Sequence, residues 1–247
     1  MNPVRRRSSG SRIAAAIVAC VLSAGAWTPV AAQTPQVTAP QPTVPEVFTI
    51  MGQFVRVAYN KEGFVTLGYE MAQRAIGEEW LMLEAGLTMR SPAKDYKLKR
   101  EHFTLKTPDG TMIPLATQSD YAKAGYLSAL NNRAKVQRDS INYFPVDVTR
   151  GCSMSFFANV SSGSRMLAFD EVELSSNRAC VGRLYFNVPG GIKTGQHWLI
   201  VDFGPSGKVE VPFRILTKEE EKQFKDSWQD IKKAHDASYQ PPKKEKE

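Results

Sequence analysis

Between positions 79 and 89 apolar side chains recur at every second residue: Leu81, Leu83, Ala85, Leu87 and Met89. A period of two places them on one face of a strand, the best candidate for a central one. Trp80, Met82 and Glu84 take the other face, which predicts that part of it is covered too. Shorter runs at 54–59 and 64–69 flank Asn60-Lys61-Glu62-Gly63, a hairpin turn. Residues 69–76 read as a brief helix ending at Gly77.

Residues 102–106 and 111–115 flank Thr107-Pro108-Asp109-Gly110. Pro presets φ there, Asp bonds its own backbone and Gly accepts positive φ, so this is a turn. Further strands are expected at 152–160, around Val172 and Leu174, and at 183–188 before Pro189-Gly190-Gly191. The runs 198–203 and 208–215 enclose the hairpin Gly204-Pro205-Ser206-Gly207. About eight or nine short strands with such turns predict an antiparallel β-sandwich over 47–216.

Two stretches switch to a helical period. Residues 120–137 are rich in Ala, Leu, Lys, Arg and Gln, with Ser119 placed to cap them. Leu127, Leu130 and Ala134 make a narrow apolar stripe, and Gly125 costs about 1 kcal/mol relative to Ala. This is expected as a surface helix inserted between strands. The second helix spans 217–240. Thr217 and Glu220 form a capping box, and Phe224, Trp228, Ile231 and His235 fall on one face. Phe224, Trp228 and Ile231 are therefore candidate docking residues, either for the chain's own sandwich or for a partner. Pro241 and Pro242 stop the helix, and 241–247 is a charged tail.

The first 32 residues read differently. Arg5, Arg6, Arg7 and Arg12 precede an apolar run over 13–27, and Val30-Ala31-Ala32 is a small-residue cleavage pattern before Gln33. That is the layout of a secretory signal peptide. Ile17-Val18-Ala19-Cys20 also resembles a lipobox, so lipidation of Cys20 is the alternative. Residues 33–46 hold four prolines and form a Pro/Thr/Gln-rich linker. The mature protein is expected to be periplasmic or extracellular, with a lipid anchor only if Cys20 is used.

Removing the signal changes two other numbers. The chain has 32 basic and 25 acidic residues. Four of the arginines precede Gln33, which leaves 28 basic side chains and a net charge of +3. A nucleic-acid partner is not expected at that charge. Lys97, Lys99 and Arg100 are the densest basic patch before the tail, and Leu98 alternates with the lysines as on a solvated strand face. Cys152 and Cys180 remain, and an even pair in an exported chain predicts a disulfide.

No catalytic pattern stands out. His102, His197 and His235 lie far apart, without metal-ligand spacing, and are expected at the surface or rim. Asp170, Glu171 and Glu173 lack the spacing of a calcium loop and read as strand ends facing water. Gly204 to Lys208 is too short for a P-loop, and no G-x-S-x-G accompanies the serines at 161, 162 and 164. Asn159-Val160-Ser161 matches a glycosylation sequon. Tyr69, Trp80, Tyr143, Phe144 and Trp198 are candidates for a carbohydrate platform, against the ordinary reading of aromatics as core. No catalytic residue, metal ligand or cofactor is expected.

One resemblance rests on the order of three motifs. After the strand at 79–89 come Phe103-Thr104-Leu105 before Pro108-Asp109-Gly110, and then Gly182-Arg183-Leu184-Tyr185-Phe186-Asn187-Val188-Pro189. This resembles exported bacterial immunoglobulin-like domains of uncharacterised function, in which an F-x-L-x-x-x-D-G hairpin precedes a G-x-L-x-F-x-V-P strand. The likeness covers 47–216 and implies a mainly β, immunoglobulin-like sandwich; it brings no catalytic set. The insert at 120–137 and the C-terminal helix depart from the family's compact pattern. The expected function is a non-enzymatic envelope module that binds or scaffolds a protein or surface polymer. The alternatives are a carbohydrate-binding module, or a small exported hydrolase whose site forms only in three dimensions.

Overall fold

All ten residues from Trp80 to Met89 are buried, so both faces of that strand are shielded. The computed structural model describes residues 47–125, 127–136, 140–158 and 167–238. The expected signal peptide, Cys20, the 33–46 linker, the Asn159 sequon, the serines at 161, 162 and 164 and the 241–247 tail lie outside these residues. In chain order the elements are β1 (Val47–Gly52), β2 (Val55–Tyr59), β3 (Gly63–Gly68), α1 (Glu70–Arg74), β4 (Trp80–Met89), β5 (Tyr96–Lys99), β6 (Phe103–Lys106) and β7 (Met112–Pro114). They continue with α2 (Gln118–Lys123), α3 (Leu127–Val136), β8 (Arg150–Ser153), β9 (Glu171–Leu174), β10 (Arg178–Asn187), β11 (Gly195–Asp202), β12 (Lys208–Ile215) and α4 (Lys218–Ser238).

Six strands form one sheet in the order β1-β2-β3-β4-β10-β8. Its pairs are antiparallel except β10 with β8, which run parallel. A second sheet has the order β12-β11-β6-β7, and β5 pairs with β9 in a third. The chain is thus mainly β. Leu81, Leu83, Ala85 and Leu87 of β4 share one core with Phe103, Leu105, Leu199, Val201, Val211 and Phe213 of the second sheet. Two sheets on one shared core are the arrangement of a β-sandwich.

The outer face of β4 is covered by helices. Trp80 and Met82, with Tyr185 of β10, form a second cluster with Tyr121, Leu127, Leu130 and Ala134. The expected stripe of Leu127, Leu130 and Ala134 is therefore buried on the sheet. The expected single helix over 120–137 is instead two. Thr117, not Ser119, caps α2, because Thr117 and Asp120 exchange side-chain and backbone hydrogen bonds. Ala124 turns extended just before Gly125, which ends α2.

Two strand expectations also change. The expected strand at 152–160 is β8 alone, ending at Ser153, because Met154 and Phe156 turn into the core. Twelve strands, not eight or nine, are present among the described residues. The surplus comes from short pieces with little pattern, such as the three residues of β7. At the opposite end of the sandwich Asn60 joins the two sheets. Its Oδ1 accepts from Glu62 and Gly63, and its Nδ2 donates to the carbonyl of Ser206 at 2.9 Å.

Candidate functional site

The root of α4 is fixed by polar contacts that the sequence arranges within a few residues. The Gln73 amide donates from Nε2 to the Leu216 carbonyl at 2.9 Å and accepts the Leu216 N–H at 2.7 Å. Thr217 and Glu220 then close the expected capping box. Burial pushes the Glu220 carboxyl up, but hydrogen bonds from Arg214 and Thr217 outweigh it and hold the group below its ordinary value. Glu221 pairs with Lys225 at 2.7 Å, one turn on.

Along α4 the apolar stripe is buried unevenly. Phe224 is 5% exposed and its ring lies 6.5 Å from that of Phe54. Trp228 leans back against Phe224, the rings tilted with centroids 5.4 Å apart, and is only half-buried, as is Ile231. The first member of the stripe is therefore seated on the chain's own sandwich, while the next two keep accessible surface. His235, also half-buried, sits 3.6 Å from Asp236.

Phe54 belongs to a longer row of rings. It meets Tyr69 edge-on at 5.5 Å, Tyr69 meets Phe213 at 5.2 Å, and Phe213 stacks on His197 at 5.3 Å. His197 and Phe213 are direct cross-strand partners of β11 and β12. His197 was expected at the surface or rim and is instead fully buried. The strand period places it with Leu199 and Val201 on the inner face. Its Nδ1 lies 3.0 Å from the Gly195 carbonyl, so Nδ1 carries the proton and donates. Its Nε2 is buried without a hydrogen-bond partner. Burial lowers the imidazole to about 4.

The other candidates are scattered. Cys152 and Cys180 form the expected disulfide, across a register pair of the parallel strands β8 and β10. Asp170, Glu171 and Glu173 face water, and Glu171 takes Lys97 at 3.1 Å. Lys97 and Lys99 are exposed while Leu98 is buried, as the alternation requires. Arg100 leaves that face: its guanidinium donates to the carbonyls of Ala116 and Phe156 and stacks over Phe157 at 4.8 Å. His102 accepts the Lys99 N–H at Nδ1, 3.1 Å away, and stacks beside Tyr96 at 5.8 Å. The five platform candidates do not assemble, since Tyr69 and Trp80 are core residues of different clusters and Lys106 caps the ring of Trp198.

One polar cluster was missed by sequence reasoning. Arg183 donates to Asn131 at 3.1 Å and lies 3.5 Å from Glu84, its register partner. Asn131 also accepts from the Tyr185 hydroxyl and donates to that of Tyr121 at 2.9 Å. Burial pushes the Tyr185 hydroxyl up, so it stays a neutral donor. The cluster fastens α3 to β4 and β10. Glu84, a charge inside a strand otherwise filled with apolar and small residues, was its one visible signal. Among the described residues no group of His, Cys, Asp and Glu could hold a metal ion, and no helix is long and apolar enough to cross a membrane. Comparison with family models, curated proteins and solved structures finds no match for this chain.

Proposed function

We propose that this protein is an exported, non-enzymatic envelope module of immunoglobulin-like type, which binds a protein or surface polymer through α4. The observation that carries the reading is the gradient along one helix face. Phe224 is seated on Phe54, while Trp228 and Ile231 remain half-exposed on a helix whose first turn is clamped by Gln73, Thr217 and Glu220. A rigid root with accessible aromatic and aliphatic side chains beyond it suits docking, because Trp contributes large contact area at little conformational cost. Export is supported by the N-terminal 32-residue pattern and by the Cys152–Cys180 disulfide, which belongs to an oxidising compartment.

The test compares the mature wild-type protein with a Trp228→Asp, Ile231→Asp variant as bait in envelope extract at neutral pH. The expected result is a species retained by the wild type and lost by the variant, with melting temperature unchanged within a few degrees. Identical retention by both would overturn the docking role of α4.

A further inference from the structure

The row of rings described above connects a buried histidine to the docking helix without interruption. It runs His197, Phe213, Tyr69, Phe54, Phe224, Trp228, with neighbouring centroids between 5.2 and 6.5 Å. A second connection runs beside it. Tyr69 immediately precedes α1, and the Gln73 N–H bonds the Tyr69 carbonyl at 3.1 Å. Gln73 in turn holds Leu216, three residues beyond Phe213. Both ends of α4's seat, the clamp at Leu216 and the ring pair Phe54–Phe224, thus hang on the residues that pack around His197.

His197 is poorly accommodated as a cation. Its Nδ1–H is already satisfied by Gly195, so an added proton must sit on Nε2, which has no acceptor and lies in the core. A buried, unsatisfied charge is expelled rather than tolerated.

The charged groups around it do not rescue it. Asp109, on the turn after β6, acts favourably on the imidazolium, but its carboxylate is engaged by Lys193, Thr107 and Thr111. From β12, Glu210 and Arg214 lie on the strand's other face, by alternation with Phe213. From the six-stranded sheet, the Arg56 guanidinium of β2 is engaged by the carbonyls of Gly52, Gln53 and Val55 and by the Tyr69 hydroxyl. From α1, Glu70 and Arg74 pair with each other at the surface, and Gln73 is neutral.

We propose that protonation of His197 loosens this ring row and unseats α4, so that the docking stripe is held at neutral pH and released in acid. The inference rests on the reading of α4 as the docking element and adds a regulation to it. Opening is favoured because the imidazole recovers its ordinary basicity once it reaches water. Linkage between the buried value, about 4, and the free value, 6.5, raises the opening equilibrium roughly 20-fold between pH 7 and pH 5.

The experiment is amide hydrogen exchange on the mature full-length protein at pH 7 and pH 5, corrected for intrinsic exchange. It is run on the wild type, His197→Phe, His197→Gln and His235→Gln. The expected result is an extra loss of protection of roughly 20-fold in α4 and the β12 end, through an opening of lower free energy than that of β4, in the wild type and His235→Gln. Neither His197 variant should show it. Equal acid sensitivity in the His197 variants that fold, or its loss in His235→Gln, would overturn the proposal. Should neither His197 variant fold, the wild type still decides. Exchange of α4 and the β12 end through an opening of lower free energy than that of β4, and favoured by acid, supports the switch; protection of α4 unchanged by acid, or exchange of α4 only together with β4, overturns it. The bait comparison at neutral pH does not depend on His197, so a failed switch and a failed docking role give different results.

Discussion

Gln73 grips Leu216 with both ends of its amide, and neither partner lies near the other in sequence. Both residues are buried, so the two hydrogen bonds cannot be replaced by water. Gln73→Leu removes one donor and one acceptor and strands the Leu216 N–H and carbonyl. The expected loss is about 2–4 kcal/mol, read by urea denaturation, with the first turn of α4 exchanging faster. An unchanged midpoint would show that the clamp is not needed to root the helix.

The disulfide closes a loop with a sequence separation of 28, and its Cα atoms are 4.4 Å apart. The other three residues of β8 are all exposed, so little besides backbone pairing holds that strand to β10. Cys152→Ser with Cys180→Ser should lower stability by about 3–4 kcal/mol. Thiol titration of unfolded, unreduced protein comprising residues 33–247 should find neither thiol free.

Gly63 sits where β3 begins, and a Cβ there would come within 2.6 Å of the Phe203 ring. Phe203 is fully buried and has no room to retreat. Gly63→Ala should therefore cost about 1–3 kcal/mol through overpacking. A thermal shift measurement on Gly63→Ala, with Phe203→Leu as background, checks this. The smaller side chain should absorb much of the strain, and additive losses would refute the assigned clash.

His197 also makes global stability depend on pH. Its folded-state value is lowered to about 4 from the ordinary 6.5, so between those limits the unfolded chain binds the extra proton. Stability from this group is complete above pH 6.5 and falls steadily as the pH drops to 4. The total is on the order of 3 kcal/mol. His197→Phe should flatten that part of the profile, measured as denaturation midpoint against pH. A profile of the same slope would mean that other groups govern the acid limb.

Phe224 is the seated member of the apolar stripe on α4, and truncating it removes its contact with Phe54. Phe224→Ala should lower stability by about 3–5 kcal/mol. Trp228→Ala, at a half-exposed position, should cost markedly less. Equal losses at the two positions would show the helix buried along its whole face.

Much of the fold follows from local period and turn chemistry. The alternation around Leu81–Leu87, the hairpins at Asn60 and Gly204 and the capping box at Thr217 and Glu220 are settled by residues close in sequence, and each forms as expected. The cysteine pair was legible because only Cys152 and Cys180 remain when residues 1–32 are read as a signal peptide. The break at Gly125 was harder to see, since one glycine in an Ala- and Leu-rich run costs only about 1 kcal/mol and is often carried within a helix.

Other features depend on which distant segments meet. The strand period aligns His197 with Leu199 and Val201, but Trp198 and Ile200 make the other face apolar too; His197 is inside because the odd positions of β11 face the other sheet. Arg100 leaves its basic neighbours because the Ala116 and Phe156 carbonyls converge on it from elsewhere in the chain. The Glu84–Arg183–Asn131 cluster draws on three separate elements, and the ring row from His197 to Trp228 on five segments of the chain. Local pattern specifies the elements because it acts through neighbours three or four positions apart at most. The environment of a polar side chain is set by sheet order and register, and so by contacts between residues that the chain keeps far apart.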